Sequence, residues 1–309
     1  MLPVFERIWR MRYGILSLPL VFVLGLFAGS VVQQYEVTGL VISVDAPHNT
    51  VLVSHEQIPG YMDAMTMPYR VEDPRILKAL KPGETIEFTL VIGKTSSYIS
   101  RVHVREYDSL ERDPVQNRRL ALLDEAMQVS AGSQSTLSPG QNVSDFSLVD
   151  QANRPVTLSE FRGKVVAITF IYTRCPLPDY CMRLSSNFAQ LQKRFNDHMG
   201  RDLILLSITF DPDHDRPDVL AKYAGQWKAN VEGWHFLTGT LSSVKQVCGL
   251  FGMNFWPDEG LMTHSLHTAI VDREGKLVAN MEGNQFTAIQ LGDLVEATLT
   301  HNNPQISSR

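Results

Sequence analysis

Two of the chain's three cysteines, Cys175 and Cys181, lie in TRCPLPDYC with five residues between them, two of which are prolines. A thioredoxin-type redox motif would separate them by two. Paired sulfurs support thiol–disulfide exchange, a structural disulfide or metal ligation, and a staple across so short a loop would constrain the unfolded chain little. Downstream, THSLHTAIVDREG offers His264 and His267, which strand alternation puts on opposite faces, so at most one reaches the cysteines. A second group of soft donors lies in HEQIPGYMDAMTMPY, where His55 ends one strand and alternation puts Met65 and Met67 on one face of the next, with Met62 just before. By type alone those methionines read first as filling for a small barrel's core. Cys248, in VCGLFG, falls on the apolar side of a helix and reads as a core residue.

The elements that must position these groups fall into two regions. Residues 36–105 carry about five short strands rich in β-branched residues, separated by turn sequences such as DAPHN and KPG. This predicts a small closed barrel, OB-like, over 35–106. Residues 107–138 read as a linker, with a helix over 113–127 and then the flexible stretch SAGSQSTLSPG. From 139 to 303 strands alternate with helices, predicting an α/β domain with helices on both faces of a mixed sheet. Its central strand, KVVAITFIY, is nearly all apolar. Cys175 falls just past the C-terminal end of that strand, where open α/β sheets keep their sites. Cys181 is expected at the start of the next helix, whose N-terminus favours a thiolate. Asp211 either serves the site or caps the helix at 216.

The N-terminus bounds the compartment. Residues 14–32 form an uncharged, mostly apolar run of 19, about 28 Å as a helix and so close to the hydrocarbon core of a bilayer. Arg7, Arg10 and Arg12 precede it and no Lys or Arg follows until Arg70, which puts the N-terminus in the cytoplasm and the rest outside. A single-pass anchor in the inner membrane is preferred over a cleaved signal because of the run's length. No cysteine follows the run to carry a lipid. Outside the cytoplasm, paired thiols oxidise unless a reductant or a metal holds them. The formal charge of −5 gives no pull toward nucleic acid.

FIYTRCP, DPDHDRPDVLAKYA and THSLHTAIVDREGKL, in that order, resemble the Sco/SenC family, and the likeness covers 139 to about 300. The resemblance implies a thioredoxin-like fold, a membrane anchor and copper delivery to cytochrome c oxidase. It implies a copper site of two cysteines and a histidine eight residues before the Asp of an Asp-x-x-Gly turn. With Asp272 and Gly275 as that turn, the histidine is His264 and His267 is a bystander. The family has two residues between the cysteines and a proline after the second, where this chain has five and Met182. Two thiolates and an imidazole form a soft site that suits Cu(I) and also takes Cu(II). The His55 segment is similar to the small periplasmic CusF-like copper-binding barrels, which implies Cu(I) ligation by His55, Met65 and Met67. Met62 stands where those barrels have a capping tryptophan and offers a fourth ligand through its thioether.

The leading expectation is a metallochaperone whose partners are a copper donor or thiol reductant and a cytochrome c oxidase subunit carrying a copper site. In it, copper caught by the barrel passes across the linker to the thiolate site. The main alternative is an exported thiol–disulfide reductase acting through Cys175 and Cys181, in which His264 is expendable. A thiol peroxidase is weaker, since Thr173 and Cys175 lack the usual upstream proline; copper buffering would need only the barrel.

Overall fold

The computed structural model describes residues 33–107, 136–258 and 260–301. The expected anchor at 14–32 and the expected helix at 113–127 lie outside them, and among the described residues no helix is long and apolar enough to cross a membrane.

Five antiparallel strands form the first domain: β1 (Gln33–Asp45), β2 (Thr50–His55), β3 (Met65–Arg70), β4 (Thr85–Ile92) and β5 (Ser97–Val104). Their order is β3-β2-β1-β4-β5, and a bridge between Val71 and Ile99 brings the two edges together. Alternating residues turn inward, with Val37, Val41, Val51, Val53, Phe88 and Ile99 fully buried in one cluster.

The sequence reads as simple alternation here, but Leu40, Val41 and Ile42 are consecutively buried. Val41 fills the β domain, whereas Leu40 and Ile42, with Leu52 of β2, pack into the core of the second domain. A strand covered on both faces is apolar on both. Gly83 completes the junction: its φ is +87°, and a Cβ there would sit 2.8 Å from that of Ala279. The two domains are thus docked, and their proximity is set by packing rather than by the linker.

The second domain is a seven-stranded sheet in the order β14-β13-β8-β9-β10-β6-β7. It comprises β6 (Ser147–Asp150), β7 (Pro155–Thr157), β8 (Val165–Ile171), β9 (Leu203–Thr209), β10 (Trp234–Thr238), β13 (His267–Val271) and β14 (Leu277–Glu282), with β8, β9 and β10 parallel. Helices α1 (Arg183–Arg194), α2 (Pro217–Gln226), α3 (Leu241–Leu250) and α4 (Ala288–His301) accompany it. Every residue of β8 and β9 is buried, as an interior parallel strand requires. Burying each large aliphatic or aromatic side chain contributes about 1.5–3 kcal/mol. The sequence reading missed the β6–β7 hairpin and a separate two-stranded hairpin, β11 (Phe255–Asp258) and β12 (Leu261–His264). The Asp272–Gly275 turn forms as expected, with Gly275 at φ +79° and its N–H donating to the Asp272 carbonyl.

Candidate functional site

The loop leaving β8 carries Cys175, and it is held from below. Asp215, fully buried after β9, accepts from the Thr173 N–H (3.0 Å), the Thr173 hydroxyl (2.5 Å) and the Thr209 hydroxyl (2.6 Å). Burial pushes its carboxyl upward against those hydrogen bonds, which favour the anion. Asp211 does not cap a helix: α2 starts after Arg216, which has no side-chain cap. Instead Asp211 accepts from Arg174 at 2.7 Å and from the ring of His214 at 2.9 Å, fixing the residue before Cys175. Sequence reasoning missed Asp215, because nothing in DPDHD distinguishes the buried Asp211 and Asp215 from the exposed Asp213.

Cys181 precedes α1, within a wide turn, Pro178–Met182, kinked at Tyr180. It lies two residues before α1, close to the helix start the sequence suggests, and it is buried while Cys175 is half-exposed. Both are free thiols. The Cys175 thiol is pulled down to about 4 by the hydrogen bond from the Cys181 side chain, against burial, with help from His264 and the backbone at Leu177 and Cys181. Cys181 moves well upward, because it donates to Cys175, is buried, and faces that sulfur's negative charge. The pair is thus a thiolate and a thiol sharing a hydrogen bond. Tyr172 beside them is pushed up to about 12, by burial and then by the two sulfurs.

His264 ends β12, not the strand of His267. Ser265 and Leu266 intervene, and His267 opens β13, where its Nδ1 lies 3.2 Å from Asn280 Oδ1. The His264 Nδ1 lies 2.7 Å from the Ser265 carbonyl. A carbonyl only accepts, so Nδ1 carries a hydrogen, and Nε2 is the nitrogen left for Cys175 or a metal. Phe210, Tyr172 and Tyr180 surround the ring, with centroids 4.6, 5.8 and 6.3 Å away. Cys175 touches both Cys181 and His264. Among the described residues, however, no three of His, Cys, Asp and Glu are gathered as they would be around a bound metal. Cys248 is buried in α3 and its thiol is raised by burial, as a core residue's would be.

In the β domain, His55 and Met65 are directly opposed partners on β2 and β3, and Met67 opposes Val53. His55, Met65 and Met67 therefore share the inward face, within cross-strand reach of one another. His55 is buried, and its Nδ1 lies 2.6 Å from the Glu56 carbonyl. Its Nε2 is buried without a hydrogen-bond partner. An orphaned lone pair beside two thioethers fits a soft cation. Met65 is 48% exposed, which gives the site a mouth. Met62 lies in the loop between β2 and β3, where its backbone pairs with that of Ile58, and it packs against the β-domain core.

Comparison with known proteins gives two matches in tandem. The family model SCO1/SenC matches residues 134–299, and Copper binding periplasmic protein CusF matches 34–104. Among curated relatives, Protein sco1 of Schizosaccharomyces pombe is 30% identical over 141 residues, 43% of this chain and 52% of that protein. A putative copper-binding protein of Stutzerimonas stutzeri is 29% identical over 164 residues, 52% of this chain and 75% of that one. The chain spans between 52% and 59% of the first three curated relatives it matches. Among solved structures, yeast Sco1 with copper bound aligns with TM-score 0.45 and 26% identity, over 55% of this chain and 96% of that one. BsSco, described as a member of the Sco family of cytochrome c oxidase assembly proteins, aligns with TM-score 0.46 and 25% identity, over 54% of this chain and 99% of that one. The chain belongs to the SCO1/SenC family, with a CusF copper-binding domain ahead of its α/β domain.

Proposed function

We propose that this chain is an exported, membrane-tethered copper metallochaperone that supplies copper to the copper-bearing subunit of a cytochrome c oxidase. Copper is its cargo, taken from a donor at His55, Met65 and Met67, with Met62 available as a fourth ligand, and passed to Cys175, Cys181 and His264. The CusF and SCO1/SenC matches support the order of the two domains. The observation that carries the reading is the shared state of the two histidines. In each, Nδ1 donates to the next residue's carbonyl, and Nε2 is left to ligate beside sulfur.

At the second site Cys175 is already the anion, so Cu(I) binding must expel only the proton of Cys181. Thiolates hold Cu(I) more tightly than neutral thioethers, so transfer runs from the methionine site to the cysteine site. An anaerobic Cu(I) titration of the full chain against a chromophoric chelator tests this. Two sites of unequal strength are expected, the tighter lost in His264→Ala and the weaker in His55→Ala. Two undiminished sites in those variants would overturn the reading.

A second reading has an observation of its own. A half-exposed thiolate hydrogen-bonded to a buried thiol suits disulfide reduction. The Cys175 sulfur would attack a partner's disulfide and expel one partner thiolate. Cys181 would then displace the second, leaving Cys175–Cys181 oxidised until an external thiol reductant restored it. Full reductase turnover in His264→Ala, with no copper bound at the cysteines, would favour this alternative.

A further inference from the structure

The reverse side of the β-domain site leads to a residue outside that domain. The rung between the two ligand rungs is Ser54 opposite Thr66; on one side of it lies His55 opposite Met65, on the other Val53 opposite Met67. Side chains alternate across a strand, so Ser54 and Thr66 point away from the ligand face. Both reach one atom: Asp293 Oδ2, in α4 of the second domain, accepts from the Ser54 hydroxyl at 2.7 Å and the Thr66 hydroxyl at 2.6 Å. The other oxygen, Oδ1, accepts from Arg194 of α1 at 2.7 Å. Gln290, nearly a turn earlier on α4, donates from its amide to the Ser54 carbonyl at 3.1 Å. The Asp293 side chain is 13% exposed.

We infer that Asp293 is a positioning residue for the copper site of the β domain, so that this site is built jointly by both domains. The inference rests on the reading of His55, Met65 and Met67 as Cu(I) ligands.

The physical reason lies in where the ligands sit. β3 is an edge strand of its sheet, paired along its length only with β2, and it carries two of the three ligands. An edge strand frays and slips more readily than an interior one, and any change in register moves every side chain on it. One carboxylate oxygen shared by both partners of the middle rung pins β3 to β2 between the two ligand rungs. Charge-assisted hydrogen bonds of this kind are about twice as strong as neutral ones. The anchor itself is held, because Arg194 ties Asp293 to α1 and also donates to the Ile289 carbonyl. Ligands held at their binding separation do not have to be ordered when copper arrives, so affinity is higher than a loose β3 would allow. By reciprocity, copper at the front of the rung favours the docked state at its back.

The test uses the full chain carrying Cys175→Ser and Cys181→Ser, so that only the β-domain site reports Cu(I) in an anaerobic chelator competition. Asp293→Ala is expected to weaken binding about tenfold, the size of one charge-assisted hydrogen bond at the low end of its range. Asp293→Asn keeps an acceptor for both hydroxyls and is expected to recover most of that loss. Glu296→Gln alters another partner of Arg194 without touching the strands, and is expected to change nothing. Thr66→Val, nearly isosteric on an exposed position, guards against a folding defect in Asp293→Ala and is expected to weaken binding several-fold. The second readout is amide hydrogen exchange of β3 in the copper-free protein, which should quicken in Asp293→Ala and Thr66→Val while the interior of β1 stays protected. If the parent binds Cu(I) and both variants bind within twofold of it, the inference is overturned and the ligand assignment stands. If the parent itself takes no Cu(I) there, both fall.

Discussion

The hydrogen-bonded cysteine pair makes a demand that ordinary thiol chemistry does not. Take alkylation of Cys175 by iodoacetamide in the reduced, copper-free chain, followed from pH 5 to 8.5 by mass spectrometry of its peptide. With its ionisation pulled to about 4 from an ordinary value of 9.0, Cys175 is almost wholly thiolate across that range. A thiol at 9.0 is about one part in a thousand ionised at pH 6 and about a tenth at pH 8. Nucleophilicity falls with basicity by roughly 0.4–0.5 log unit per unit, here about 2–2.5 log units over the five-unit difference. At pH 6 Cys175 should therefore react roughly 3–10 times faster than an equally accessible ordinary thiol. At pH 8 it should react roughly 10–30 times slower. The two rates cross between about pH 6.5 and 7, and the profile for Cys175 is flat. Cys181→Ala removes the leading cause of the shift and should restore a sigmoid with a higher midpoint. A wild-type profile that rises steadily from pH 6 to 8.5 would refute the thiolate–thiol assignment. The sign also governs stability. A folded value below the unfolded one stabilises most above the unfolded value, and the contribution is lost as pH falls toward 4.

Two shorter tests concern the same loop. Because only Cys181 has a proton to lose, Cu(I) affinity at the cysteine site should rise about tenfold per pH unit between pH 5.5 and 8, after correction for the chelator; a slope near a hundredfold would mean both sulfurs start protonated. Asp215→Ala strands the Thr173 N–H and two hydroxyls and should cost about 2–3 kcal/mol in urea unfolding, with quicker exchange of the Thr173 amide; a loss under 0.5 kcal/mol would show that the loop is held by something else.

The architecture was legible where one physical effect dominated. Strand β8 was readable because a strand covered on both faces must be apolar throughout, and KVVAITFIY is. The helices beginning near 217, 241 and 288 were readable from their apolar spacing and, for the first, from Pro217 at its start. The hairpin that delivers His264 was not readable, since FWPD and LMTH are short, mixed in polarity and stabilised mainly by each other. His264 could be singled out from His267 by its distance from the Asp272 turn, yet its tautomer follows only from the position of the Ser265 carbonyl. Docking left a trace that is clear in retrospect: Leu40-Val41-Ile42 is too apolar for a strand with one wet face. Asp293 left none, because an acidic residue on a helix reads as solvated until the strands that meet it are known.

Docking also changes what the linker read over residues 107–138 is for, and this can be tested. If the domains were beads on a flexible tether, transfer from the methionine site to the cysteine site would depend on an effective concentration that falls as about the −3/2 power of tether length. Inserting about 32 Gly/Ser residues doubles the tether and would then slow transfer about threefold. In the docked chain the separation of the sites is set by Leu40, Ile42 and Leu52 in the second domain's core, so the same insertion should leave the rate unchanged. The rate is read from the appearance of copper–thiolate absorption after one equivalent of Cu(I) is given to the full chain at low temperature. Leu52→Asp places a charge in that apolar contact and should bring the length dependence back. A threefold slowing without Leu52→Asp would mean that the domains separate during transfer. No dependence even with Leu52→Asp would mean that copper moves between molecules rather than within one, and transfer would then scale with protein concentration.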